Sequence, residues 1–464
     1  MSTISVILVP TTKRLIAQEN DMAERKKILV LCDHPLVPSG VGTQARYLIE
    51  GLLGTEKYKF VVFGGAVKHP NYNIQMVAPE KFGEGNWIIH PVDGYGDKDK
   101  LRAILQKEKP DALLLFTDPR FFVWVWEMED EIRALCPILY WHVWDNDPTP
   151  KYNKIFYEST DFISALSLKT YGLLRDMNYM RSNYIPHAVS PEVFKPLSEE
   201  EAQKFKLEHL GPHGSRKFVA FWNNRNARRK MTGDVIASFA KFAEKVGKNN
   251  VALAMHTAVG DPEGQNVIEV AKCFDFEKNL IISQDRVDSS VLNNFYNACD
   301  VTINIANNEG FGLGTLESLM AGTPILVQMT GGLQYQIGDW YEGVTDFTDQ
   351  DKLTELAKSK YKSGKGWKWF GVPIFPASRS CTGSQPIPYI YDDRVNHDDV
   401  VKGLVKLYEM GRTGRRALGQ EASQWARKTF NLNEMISSWD LTLQEQILKF
   451  KQKTDMNNIR VANL

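Results

Sequence analysis

The sequence predicts an α/β protein built of two Rossmann-like, doubly wound parallel-sheet domains that face each other across a central cleft. Its 464 residues exceed what one ordinary core accommodates. Short apolar runs alternate with segments of helical spacing, the pattern of parallel strands joined by crossover helices. That alternation occurs twice, and the proline-rich segment Asn183 to Pro196 interrupts it.

In the first half, strands are expected at Lys27–Cys32, Phe60–Phe63, Ala112–Phe116, Ile138–Trp141 and Asp161–Leu166. Each is short and apolar enough to be buried on both faces. A Pro/Gly-rich loop, Asp33 to Gly42, leads into helical spacing at Thr43–Leu53. In the second half, strands are expected at Lys217–Phe221, Val251–Met255, Leu280–Ser283, Val301–Ile305 and Pro324–Val327. Helices are expected at Thr232–Val246, Ser289–Ala298, Gly314–Ala321, His397–Met410 and Arg415–Thr429. The expected domains are 26–195 and 196–435, with an extension at 1–25 and a helix at 436–464 that packs back on the first domain. Residues 340–391 lack clean periodicity and are rich in aromatics, among them Trp340, Tyr341, Trp367 and Tyr391. Such a long irregular segment reads as an insertion that caps its own aromatics or shapes the acceptor side or a partner contact.

Lys plus Arg balance Asp plus Glu at 56 each, so no global field attracts nucleic acid or an anionic membrane. An anionic ligand must then be held by a few placed groups. Five widely spaced cysteines without a C-x-x-C suit buried free thiols in a reducing compartment. No apolar run approaches the ~20 residues of a membrane span, and Ile4–Val9 lacks the flanks of a signal peptide. A cytoplasmic location is therefore expected.

Four segments carry candidate chemistry. Asn304 to Val327 runs from a strand through a turn with Gly310, Gly312 and Gly314 into a helix, whose free N–H groups and dipole suit phosphate. Glu309 precedes that turn and Glu317 follows it, two carboxylates able to accept from sugar hydroxyls. Arg225 and Lys230 stand five apart in the βα loop Phe221–Met231, where they supply cations for a diphosphate; the intervening Arg228 and Arg229 read as solvated. His142 lies just past a strand of the first half. A lone histidine is more often structural than catalytic. The triplet Asp145-Asn146-Asp147 has the form of a metal site, but no other hard ligands accompany it. Finally, Ser39–Gln44 is a glycine turn opening a helix, with Gly40 and Gly42, and it lacks the lysine of a P-loop.

Together these segments resemble glycosyltransferase family 4, the glycosyl transferases group 1, a retaining family with the GT-B fold. The most specific match is the Glu309 and Glu317 pair, followed by Ser318 to Pro324 and Gly331-Gly332. Arg225 with Lys230 is similar to the family's diphosphate-binding pair, and Ile185–Pro196 to its interdomain linker. His142 matches a histidine lining the acceptor side of the cleft. The chain departs from the family at Ser39, where glycine is common, at His187, where asparagine is usual, and in the insertion after Asp339.

The resemblance implies a nucleotide diphosphate sugar as donor and a hydroxyl of a glycan or glycoconjugate as acceptor. Glu317 would hold the ribose and Glu309 the donor sugar. Arg225, Lys230 and the backbone of Gly312, Leu313 and Gly314 would hold the diphosphate, and Arg286 and Val287 would flank the base. Catalysis would rest on Glu309, His142, Arg225 and Lys230, with Gly40 and Gly42 in the acceptor-side loop. The family implies no metal and no cofactor, and a front-face mechanism in which a phosphate oxygen takes the acceptor's proton. Two other readings stand beside this one: a GT-B enzyme that glycosylates modified nucleic-acid bases, which a basic face would favour, and a non-catalytic nucleotide-sugar binder, which the combined Glu and Arg/Lys pairs disfavour. Because Arg and Lys replace a metal in this scheme, turnover is expected to survive EDTA. Activity that vanishes with the chelator and returns with magnesium or manganese would contradict it.

Overall fold

The computed structural model describes residues 24–214 and 217–462 and has two main sheets. The expected N-terminal extension lies mostly outside the described residues. The first sheet contains β1 (Lys26–Asp33), β2 (Tyr58–Gly65), β3 (Gln75–Met76), β4 (Trp87–Pro91), β5 (Ala112–Phe116), β6 (Ile138–His142), β7 (Phe162–Ala165) and β8 (Ser182–Tyr184). Their order is β3-β4-β2-β1-β5-β6-β7-β8, and only the β3–β4 pair is antiparallel. Leu31 of β1 stands level with Phe63 and Leu115, which is why the central strands read as unbroken apolar runs.

The second sheet contains β9 (Phe218–Asn223), β10 (Val251–His256), β11 (Leu280–Ser283), β12 (Val301–Asn304), β13 (Ile325–Gln328) and β14 (Gly371–Ile374), in the order β11-β10-β9-β12-β13-β14 and parallel throughout. The helices that matter for the site are α1 (Gly40–Leu53), α2 (Thr232–Val246), α3 (Ser289–Ala298) and α4 (Leu313–Met320). α1 starts three residues before its apolar spacing does, because Ser39 caps it: the Ser39 hydroxyl accepts from Gly42 N at 2.9 Å and donates to Asp33 at 2.7 Å. Serine in place of the family's glycine thus fastens the helix to the end of β1.

Residues 340–391 are more regular than the sequence suggests. They hold α5 (Gln350–Ser363), strand β14, the hairpin strand β15 (Ser378–Ser384) and most of its partner β16 (Ile387–Arg394). β14 reads Gly-Val-Pro-Ile, a composition that does not signal a strand and that is tolerated because β14 is the edge of its sheet. Glycine is required there: a β-carbon on Gly371 would stand 1.8 Å from Ile325 O of the neighbouring strand. Three of its aromatics, Trp340, Tyr341 and Phe370, belong to the core, and the others are partly exposed. Trp340 is fully buried, donates to Gln334 O at 2.7 Å and stacks on Tyr335.

The hairpin reaches across to the first lobe. Tyr391 N donates to Asp147 O at 2.6 Å, and Tyr391 O accepts from Asn146 Nδ2 at 3.1 Å and from Asn308 Nδ2 at 2.6 Å. The Tyr389 ring meets Tyr152 edge-on, and the Tyr152 hydroxyl donates to Tyr389 O.

After the hairpin come α6 (His397–Glu409), α7 (Gly411–Thr429) and α8 (Leu432–Ala462). α8 crosses to the first sheet and packs against α1. Trp439 is fully buried 5.0 Å from Trp141 of β6, Leu443 and Ile447 follow it into the core, and Asp440 accepts from Tyr58 at 2.7 Å. A β-carbon on Gly51 of α1 would collide with Ile436. Replacing Trp439 with Ala should cost about 3–5 kcal/mol and lower the midpoint of thermal unfolding. A calorimetric trace unchanged from the wild type would remove α8 from the first lobe's core.

Candidate functional site

The loops that follow β1 and β6 in one lobe meet the loop that follows β12 in the other. A β-carbon on Gly40 would stand 3.5 Å from Leu313 Cδ1, and one on Gly310 only 2.9 Å from Val143 O. The glycine turns are therefore where the two lobes approach, at the C-terminal ends of parallel strands, the usual place for a ligand in such sheets.

Glu309 occupies the centre of this junction. It is 6% exposed, and its carboxylate receives Lys230 Nζ on one oxygen and Arg229 Nη1 at 3.1 Å on the other. Burial would raise the Glu309 carboxyl, but the charges of Lys230 and Arg229 outweigh it and bring it down to about 2. Burial likewise pulls the Lys230 ammonium down to about 8, against the attraction of Glu309. The backbone closes around this residue. Gly332 N donates to Glu309 O at 2.7 Å, and Gly331, with φ +48°, lies so close that a β-carbon would stand 2.3 Å from the same oxygen. This accounts for the Gly331-Gly332 pair. Gly312, at φ +90°, turns the chain into α4, whose first N–H groups at Leu313 and Gly314 have no carbonyl inside the helix to serve.

Glu317 lies one helical turn into α4. Its carboxylate accepts from the Tyr296 hydroxyl of α3 at 2.8 Å, and that hydroxyl accepts from Asn223 Nδ2 at 2.9 Å at the end of β9. Burial pushes the Glu317 carboxyl up to about 7, with the Tyr296 hydrogen bond opposing.

Two expected site residues point elsewhere. Arg225 points away from Glu309. Its guanidinium grips both oxygens of Asp261, at 2.9 and 3.1 Å, and reaches Glu263 at 3.5 Å. Arg229, which the sequence reading left to solvent, takes the place beside Lys230. The cause is local: Arg228–Lys230 form one 3-10 turn, in which successive side chains rotate by about 120°. Of three consecutive basic residues only two can face Glu309. His142 is 1% exposed and turned into the first lobe's core, its Nε2 2.7 Å from the Tyr157 hydroxyl, and burial lowers it to about 3. β6 alternates its faces, so His142 follows Tyr140 and not the cleft. A titratable group that the first lobe brings to the junction is Asp145. Burial pushes it up to about 6, and Arg229, Glu309 and Lys230 all act on it.

Gly42 is confined by His34 O at 2.7 Å from its would-be β-carbon, a backbone constraint at the start of α1. Arg286 is exposed and Val287 half-buried in the loop after β11, the edge strand two places from β9. His187, where the family has asparagine, sits in an aromatic cage of Phe116, Trp141 and Phe311. Among the described residues no group of three or more His, Cys, Asp or Glu side chains is placed to hold a metal ion, and no helix is long and apolar enough to cross a membrane.

Comparison with known proteins bears on the family and the fold. The family model for glycosyl transferases group 1 matches residues 205–365, the stretch that carries Lys230, Glu309, α4 and Glu317. The chain thus contains a glycosyl transferases group 1 domain, set in a GT-B architecture of two Rossmann-like lobes. A trehalose synthase of Thermococcus litoralis is 22% identical over 265 residues, 56% of this chain and 60% of that protein. The chain therefore spans less than two thirds of this relative. A D-inositol 3-phosphate glycosyltransferase of Streptosporangium roseum is 34% identical over 91 residues, covering 18% of this chain and 21% of the relative. In overall structure, sucrose-phosphate synthase from Thermosynechococcus elongatus superposes with a TM-score of 0.66 at 14% identity, covering 91% of this chain and 99% of its own. Anabaena HepE in complex with UDP-glucose superposes at 0.60 with 13% identity, covering 90% and 99%.

The raised Glu317 sets a pH dependence. A carboxyl whose folded pKa lies above its unfolded value contributes stability that is complete below about pH 4.5 and is lost as pH rises through about 7. Glu317→Gln keeps the Tyr296 contact without the titration. The melting temperature of the variant minus that of the wild type should grow from pH 5 to pH 8. A difference that stays flat would place the titration elsewhere.

Proposed function

We propose that this protein transfers a sugar from a nucleotide diphosphate donor to a hydroxyl of a glycan or glycoconjugate, with retention at the anomeric carbon and without a metal. The observation that carries this reading is the meeting of Lys230, the α4 N-terminus and two carboxylates at one lobe junction. Free N–H groups at a helix start and a buried ammonium are a receptor for phosphate oxygens. Negative charge grows on the diphosphate as the glycosidic bond breaks, and cations already in place stabilise it. Lys230 now serves Glu309; a bound diphosphate would draw part of that charge and free Glu309 to accept from hydroxyls of the donor sugar. Glu317, one turn deeper, would receive the ribose. The UDP-glucose in the HepE complex and the sugar-joining names of the relatives support the donor class. Retention is proposed from the resemblance of the Glu309 and Glu317 motif to a retaining family, and proton NMR of the fresh product tests it.

A thermal-shift screen against nucleotide sugars identifies the donor, since a ligand at 100 times its Kd stabilises by about 2.7 kcal/mol. The two glutamates should then separate. Contact with the reacting sugar strengthens in the transition state, so Glu309→Gln should lower kcat without weakening the nucleotide, which no longer competes with a carboxylate for Lys230. A ribose contact is the same before and during reaction, so Glu317→Gln should raise KM and weaken the free nucleoside diphosphate. Equal calorimetric affinities of both variants for that nucleotide would refute this division.

A further inference from the structure

We infer that Tyr296 is a positioning residue: it aims Glu317 at the donor's ribose and so makes the site prefer ribose to 2′-deoxyribose, an assignment that rests on the donor-site reading above. The Tyr296 hydroxyl lies between Asn223 Nδ2 of β9 at 2.9 Å and Glu317 Oε2 of α4 at 2.8 Å. An amide N–H can only donate, so the phenol oxygen accepts from Asn223 and its single proton is committed to Glu317. The ring has no freedom to swing away. It is fully buried and stands edge-on to Phe221 at 5.1 Å, and the Tyr296 carbonyl accepts from Thr323 Oγ1 at 2.7 Å. Gly314 belongs to the same arrangement. A β-carbon there would stand 3.2 Å from the Tyr296 hydroxyl and 3.4 Å from Asn223 O, so the glycine leaves room for the hydroxyl beneath the first turn of α4.

A carboxylate has about four lone-pair sites. Tyr296 takes one, and among the described residues no other hydrogen bond reaches the Glu317 carboxylate. The half-buried side chain therefore keeps acceptor sites for a ligand. The two neighbouring hydroxyls of a ribose fill a pair of them. A 2′-deoxyribose supplies one hydroxyl and leaves a desolvated acceptor unpaired, a loss that a site built for a hydroxyl imposes strongly. Charge matters as well as direction. Burial drives Glu317 toward its neutral form, and the Tyr296 hydrogen bond opposes that. Across the junction Tyr47 of α1 feels the same Glu317 charge, with Arg46 and Glu50 beside it. Without the Tyr296 hydroxyl the Glu317 carboxyl would rise further, hold its proton near neutrality and lose acceptor capacity for the ribose.

The test is calorimetry on the full-length protein with UDP, GDP and ADP, each against its 2′-deoxy counterpart. For the base that binds, the wild type should prefer the ribonucleotide about tenfold or more. Tyr296→Phe should cut that preference at least threefold and affect the deoxynucleotide less. Asn223→Ala, which frees the hydroxyl to turn, should cut it too, and decides the matter if Tyr296→Phe loses its near-ultraviolet circular dichroism. The ratio of the two affinities cancels the titration of the phosphates and of Lys230, so its pH dependence reads Glu317. The ratio should rise through about pH 7 in the wild type and at higher pH in Tyr296→Phe. A tyrosine that served packing alone would weaken both nucleotides alike and leave the pH profile in place, and either finding overturns the assignment. So does a wild type with no preference for ribose. A wild type that binds none of these nucleotides, or a Lys230→Ala variant that binds them undiminished, would overturn the donor-site reading and the assignment with it.

Discussion

A carboxylate taken out of water must be paired, and around Glu309 that requirement organises the second lobe. Leaving one partner of a buried ion pair alone typically costs about 3–5 kcal/mol, so Lys230 and Arg229 must both arrive from the β9 loop. Their arrival needs the 3-10 turn and the left-handed Met231. The Glu309 carbonyl needs a donor too, and Gly332 supplies it only because Gly331 can turn at positive φ against the same residue. Three segments distant in sequence are thus held by one side chain and its backbone, and α4 is launched from the result.

The hairpin extends this arrangement to the other lobe. Asn308, beside Glu309, donates to Tyr391 O, and so does Asn146 of the first lobe, while Tyr391 N serves Asp147 O. A single peptide unit region of the insertion therefore touches both walls of the junction. Asp145 stands next to it and is the first lobe's carboxylate nearest in charge to Arg229 and Lys230. The two walls are linked through the Tyr391 backbone by one backbone bond to Asp147 and by the side-chain amides of Asn146 and Asn308, so the link depends on those two asparagines.

Much of this was legible in the sequence for a physical reason. Parallel strands buried on two faces must be largely apolar, as β5 and the Ile28–Cys32 stretch of β1 are. β14 was not legible because an edge strand can carry Gly371 and Pro373. The hairpin strand Ser378–Ser384 is exposed along its length and has no apolar alternation to read. Within the site, the Glu309 and Glu317 segment was legible because its glycine turn opens a helix, and Lys230 because it follows a strand end. The directions in which Arg225, Arg229 and His142 point were not legible for one cause: side-chain direction depends on local twist. The available signals were the Arg-Arg-Lys run, too short for all three to share a face, and the alternation along β6, which sends His142 with Tyr140.

α8 has a consequence for how the molecule is made. Trp439, Leu443 and Ile447 complete the core of a lobe whose strands were laid down hundreds of residues earlier, at Trp141 and Tyr58. During synthesis the first lobe must wait with that face of α1 and β6 uncovered while the whole second lobe emerges. Contacts of such long sequence separation form late and slowly. Nascent chains short of residue 439 carry an unsealed apolar wall, and that wall is where a chaperone would have its longest hold.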